Sequence, residues 1–220
     1  MKRAALLGPL LASLLLCACV TKPPKDYSLF QRAHPATILV LPPINESPDV
    51  KATPAVWSSM TRPLAEAGYY VVPVTLADET FKQNGVTTSY DAQQIAADKL
   101  RQFFGADAAL YVTVREYGSS YRVVISEAAV QVIAKLVDLR DGALLWEGTA
   151  RASSAEQQQQ SQGGVIGLLV QALVTQIVGS TTDAAYNYAG IANARLIGGP
   201  GGVLYGPRSP RAGQPPAQPR

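Results

Sequence analysis

The sequence predicts an α/β (α+β) fold, a mixed β-sheet with helices packed on it, and three observations predict it. Apolar β-branched runs alternate with helix-period segments in the order β-α-β-α-β over residues 37–117. A β-meander follows, marked by Asp141-Gly142 between two apolar runs, the strongest short hairpin signal in the chain. The folded part, 37–197, has no cysteine and is about 160 residues long, enough to hold together by one core. Order and meander together imply helices on a mixed sheet.

Each element has its own signal. Thr37–Leu41 is a β-branched apolar run stopped by Pro42-Pro43, the pattern of a buried strand. Thr53-Pro54 supplies an N-cap and a first-turn proline for a helix that Gly68 closes, with Pro63 inside it. Residues 69–74 return as a strand, and a short helix from Ala77 to Gln83 ends at Asn84-Gly85. Asp91 is predicted to cap a helix over 92–104, with Ile95, Leu100, Phe103 and Phe104 apolar, stopped by Gly105. Residues 109–117 alternate as a strand and are expected to turn at Gly118-Ser119. Residues 121–139 form a long β segment with Val130, Val132, Ala134 and Leu136 on one face. Thr181-Thr182-Asp183 caps a last helix to about Leu196. From Gly198 the chain has six Pro, six Gly and three Arg, and 198–220 is predicted to be disordered.

The amino-terminal end reads as an address. Lys2 and Arg3 precede an apolar run, Ala4 to Leu16, of about 20 Å as a helix, too short for a bilayer core of roughly 30 Å. It ends in Leu16-Cys17-Ala18-Cys19, a match to the lipobox of bacterial lipoproteins, with a small residue before the acylated cysteine. Cys17 fits worse, because leucines precede it. Residues 1–18 are therefore read as a lipoprotein signal peptide and Cys19 as the lipidated residue, carrying diacylglycerol and a further acyl chain such as palmitate. No later cysteine offers a disulfide or metal partner. Val20 and Thr21 follow, with no Asp, which favours an outer-membrane anchor with the domain facing the periplasm. Residues 19–36 are polar and Pro-containing and read as the acylated tether, roughly 20–25 Å end to end as a coil.

Charge excludes nucleic acid. Without Lys2 and Arg3, 17 basic residues face 16 acidic ones, and Arg208, Arg211 and Arg220 lie in the tail. The body keeps 14 basic against 16 acidic residues, a net charge of −2.

No catalytic constellation stands out in the sequence. His34 is the single histidine and falls in the tether, so no Ser-His-Asp set or zinc spacing can be built. There is no phosphate loop, and Gly198–Gly202 follows a helix in a Pro-rich tail. Asp78-Glu79 and Glu46/Asp49 read as capping acids, and Tyr69, Tyr70, Tyr111, Tyr117 and Tyr121 as packing residues on strands. The expectation is a protein that is not an enzyme, with no cofactor and no metal.

Residues 165–178 form a second feature. Gly167, Gln171 and Thr175 make one narrow polar stripe, and the rest is apolar, over about 21 Å as a helix. Core helix, oligomer or partner interface, and shallow membrane contact all stay open; as an interface its residues would be Val165, Ile166, Leu168, Leu169, Leu173 and Ile177.

Five blocks in order, 38–47 (Ile-Leu-Val-Leu-Pro-Pro-Ile-Asn-Glu-Ser), 61–73, 79–85, 104–114 and 134–148, resemble bacterial lipoproteins typified by a neisserial surface-antigen candidate. The resemblance spans roughly 19–197. It implies a fold similar to the amino-terminal domain of TolB, shared with CsgG-type lipoproteins and with lipoprotein activators of peptidoglycan synthases. It implies a CsgG-like lipoprotein as partner and carries no catalytic residue. The function expected is a non-enzymatic component of an outer-membrane lipoprotein assembly, for export or envelope maintenance, acting by protein contacts and self-association. The alternative is a docking activator of a peptidoglycan synthase, to which a short tether is poorly suited.

Overall fold

The computed structural model describes residues 25–122, 125–156 and 184–216, without the side chains of 119–122, 125 and 126. Helix α1 (Ser28–Ala33) precedes strands β1 (Thr37–Val40) and β2 (Ile44–Asn45). Helix α2 (Ala52–Glu66), strand β3 (Tyr70–Val71) and helices α3 (Val74–Gln83), α4 (Ser89–Gln94) and α5 (Ala97–Phe104) follow. Strands β4 (Ala108–Arg122), β5 (Ile125–Asp138) and β6 (Leu144–Ser153) then lead to helix α6 (Ala184–Gly198).

The sheet runs β3-β1-β4-β5-β6, with β2 also on β4. β1 is parallel to β3 and β4, whereas β4, β5 and β6 are antiparallel, so the sheet is mixed as the element order predicts. Pro42-Pro43 divide what would be one strand. Leu41 donates to Leu110 O and Glu46 to Val114 O, but Pro43 has no N–H for Val112 O between them. Gln93 Nε2 takes that place, donating to Val112 O and to Pro42 O at 2.9 Å each.

Helices α2 and α6 pack side by side on one face of the sheet. The i, i+4 series Ala52, Val56, Met60, Leu64 is fully buried on α2. On α6 the buried positions Ala185, Ala189 and Ala192 are small, which lets the helices approach. Asn193 is buried between them and donates from Nδ2 to Val56 O and Ser59 Oγ, 2.9 Å each. Under α6 a Cβ at Gly148 would lie 2.4 Å from the Trp146 ring and 3.2 Å from Leu196 Cδ1, so the absent side chain lets that ring lie flat.

Several boundaries differ from the sequence reading. The strand expected over 69–74 is only Tyr70–Val71, because α3 starts at Val74. The helix expected over 92–104 breaks at Ile95, whose extended backbone (ψ 132°) separates α4 from α5. Thr88, not Asp91, is the cap: its Oγ1 accepts from Asp91 N and donates to the Asp91 carboxylate. Thr53 is already inside α2 and donates to Pro43 O; Asp49 closes that end by accepting from Lys51 N. Gly118-Ser119 is no turn. Both residues pair within the β4–β5 ladder, which absorbs a bulge at Arg115 and runs on to Arg122.

Two larger expectations are corrected. The tail from Gly198 is not disordered over 199–216. Val203 and Leu204 are core residues, and three aromatic donors reach this part of the chain: Tyr69 to Leu204 O (2.5 Å), Trp146 Nε1 to Gly201 O (2.8 Å) and Tyr27 to Gly202 O (2.6 Å). Its glycines serve close backbone approach: a Cβ at Gly202 would lie 2.2 Å from Ile197 O, and one at Gly206 2.6 Å from Gly68 O. Nor is 19–36 a tether throughout. From Lys25 onward it is docked, Phe30 being 3% exposed, and α1 borders β6, the last strand of the sheet.

Candidate interaction surfaces

Cys19 and the predicted interface residues Val165, Ile166, Leu168, Leu169, Leu173 and Ile177 lie outside the described residues. The acids weighed as catalytic candidates all have local partners. Asp78 accepts from Lys82 Nζ at 2.6 Å and Glu79 from Gln83 Nε2 at 2.8 Å, both one turn along α3. Glu46 is paired with Arg115, and Asp49 closes the start of α2. His34 ends α1 in the left-handed conformation (φ 47°), its N–H on Phe30 O at 3.0 Å. Among the described residues no three His, Cys, Asp or Glu side chains gather as metal ligands would.

The entry of the chain into the domain is held by several side-chain contacts. Lys25 Nζ lies 4.7 Å from the Trp146 ring centre and donates to Glu147 O. Asp107 Oδ2 accepts from Ala36 N and Thr37 N at 2.9 Å each. Arg140 donates from one guanidinium nitrogen to Ala33 O at 2.7 Å and pairs with Asp138. That hydrogen-bonded guanidinium holds the Asp138 carboxyl below the usual range, against the opposing effect of burial.

The second surface is the sheet face opposite α2 and α6. Alternation along the strands turns Leu110, Val112, Val132, Ala134 and Leu136 inward and Tyr111, Thr113, Ile133, Lys135 and Val137 outward. The register sets them in rows: Tyr111 beside Lys135 beside Glu147, and Thr113 beside Ile133 beside Thr149. Tyr111, Ile133 and Val137 are only half-buried, and Gln93 reaches in from α4 to close one side. The result is a cleft of about 310 Å³ lined by Ile133 and Val137 together with Tyr111, Thr113, Gln93 and Lys135. Burial pushes the Tyr111 phenol above its ordinary pKa, so it is a neutral hydrogen-bonding group at neutral pH. Apolar side chains with a few polar groups among them suit a protein contact.

A family model for the GNA1162-like lipoproteins matches residues 25–208. The chain belongs to this family. As a GNA1162-like lipoprotein it is 47% identical over 203 residues to lipoprotein NMB1124/NMB1162 of Neisseria meningitidis serogroup B, covering 90% of this chain and 94% of that one. The crystal structure of GNA1162 from N. meningitidis matches with a TM-score of 0.51 and 48% identity, over 66% of this chain and 99% of that one. The PelC dodecamer from Paraburkholderia phytofirmans follows at a TM-score of 0.45 and 16% identity, over 76% and 89%. At that similarity it does not speak to what this GNA1162-like lipoprotein binds. Membership in a lipoprotein family places the chain at the cell envelope on a lipid anchor. No helix among the described residues is long and apolar enough to cross a membrane.

The sequence reading missed the open sheet face. Its signal was present in 109–117 and 130–138, where both sets of alternating positions carry apolar residues, although one face of such a strand is ordinarily polar.

Proposed function

We propose that the protein is a non-enzymatic component of an outer-membrane lipoprotein assembly, serving export or envelope maintenance. In this reading acylated Cys19 holds it, facing the periplasm, and it acts through protein contacts with a CsgG-like lipoprotein or with further copies of itself. The observation that carries the reading is the face of Tyr111, Ile133 and Val137, an apolar surface that the core packed among the described residues leaves half-buried. Docking of the chain from Lys25 leaves Cys19–Pro24 as the link to the lipid, a reach of about 20 Å at full extension. Such a reach suits a partner in the same membrane and suits poorly a synthase across the cell wall.

The test is crosslinking in cells from photoreactive side chains at Ile133 and Val137, and along 165–178, with mass spectrometry of what is caught. Capture of a second copy or of a CsgG-like lipoprotein is the expected result. Capture of a peptidoglycan synthase would reverse the choice of partner, and capture from Leu169 or Leu173 of the same chain alone would return 165–178 to the core.

A further inference from the structure

Two large apolar side chains are exposed at the β6 edge of the sheet, Leu29 on the helix that borders β6 and Leu144 on the face of β6 that carries Val137. Leu29 on α1 is 44% exposed, and Leu144 at the start of β6 is 43% exposed. A cleft of about 430 Å³ lies there, lined by Leu29, Arg32, Arg140 and by Ala143 and Leu145 on either side of Leu144.

The same edge receives the chain. Lys25, pinned over Trp146, is four residues before Leu29, at most about 14 Å along the chain. Five residues, Val20 to Pro24, separate it from Cys19, so the two Cα atoms are at most about 20 Å apart. A domain of about 160 residues has a radius of gyration of about 15 Å and is about 40 Å across. The link is half that width, and a domain so held cannot turn this edge away from its anchor.

We infer that α1 and the β5–β6 turn lie against the bilayer, with Leu29 and Leu144 seated among the lipid headgroups. The inference rests on Cys19 being the acylated residue. The lipid surface is the occupant because the link brings it there and because isolated leucines beside a basic side chain suit the headgroup–acyl boundary. Charge is not the driving force. Lys25, Arg32 and Arg140 are here matched by Asp26, Asp138 and Asp141. The edge therefore has no basic excess, and the contact is insensitive to salt.

The test uses the full mature lipoprotein purified from membranes. Once acylated, Cys19 leaves no free thiol, so Leu29→Cys, Leu144→Cys and Tyr186→Cys each carry a single environment-sensitive fluorophore. Tyr186 is also exposed (46%) and lies beside Tyr117, about 26 Å along the sheet from the Ala109–Val137–Leu144 row. The proteins are reconstituted into phosphatidylethanolamine–phosphatidylglycerol vesicles containing a spin-labelled quencher lipid. Quenching several-fold stronger at 29 and 144 than at 186, unchanged by high salt, is expected. Equal, weak quenching at all three positions in a preparation whose intact mass shows acylated Cys19 would overturn the inference. An intact mass without acyl chains would overturn the anchor reading itself, by a separate readout.

Discussion

Gln93 Nε2 donates to Val112 O at 2.9 Å, filling a ladder position that Pro43 cannot fill. A helix side chain thus completes the β-sheet at the point where Pro42-Pro43 interrupts it, and the same amide also satisfies Pro42 O. Gln93→Ala leaves both carbonyls without this donor. A loss of about 1–2 kcal/mol in urea unfolding is expected. Gln93→Glu removes the donor while nearly keeping the shape and should cost as much or more.

The Tyr69 hydroxyl joins the body of the fold to the tail at Leu204 O, and burial pushes this phenol well above its ordinary pKa. Tyr69→Phe is expected to cost about 1–2 kcal/mol and to raise proteolytic cleavage within 199–214. Leu204→Ala removes fully buried atoms and should cost about 2–4 kcal/mol. Truncation after Gly198 tests the same point: a marked fall in thermal midpoint is expected, where a disordered tail would give none.

Asp138 gives a pH dependence. Its folded-state pKa is depressed, first by the Arg140 side-chain hydrogen bond, so the stability it contributes is fully present above the ordinary carboxylate pKa near 4. That contribution is lost as pH falls below this value toward the depressed one. Asp138→Asn should flatten the acid limb of a stability–pH curve below about pH 4. Because Arg140 also holds Ala33 O, hydrogen exchange in α1 should rise in the same variant.

Ile133 is half-buried on the open face, outside the main core. Ile133→Glu should lower the unfolding free energy in urea only slightly, by about 1 kcal/mol, while abolishing partner capture from a photoreactive side chain at Val137. Loss of capture together with loss of folding would assign Ile133 to the core instead.

Much of this fold can be read from the chain because its signals are local. A β-branched run ended by two prolines marks β1, a four-residue apolar period marks α2, and Asp141-Gly142 marks the hairpin between β5 and β6. The lipobox-like pattern at Leu16–Cys19 is likewise a property of neighbouring residues. The family can be read for the same reason: its blocks, from 38–47 to 134–148, are contiguous in sequence.

Other features depend on residues far apart in the chain, and only the tertiary structure decided them. Six glycines and six prolines after Ile197 carry the composition of disorder, yet Tyr69, Trp146 and Tyr27 supply donors from up to 175 residues away, and Val203 and Leu204 find a core to enter. Gly118 has the look of a turn and is held in a strand by Ala129 across the ladder. Whether an apolar strand position faces a helix or solvent depends on which side α2 and α6 occupy, and a period of two is blind to that choice. For this reason Ile133 and Val132, adjacent and equally apolar, end on opposite faces, Val132 in the core and Ile133 half-buried on the other side.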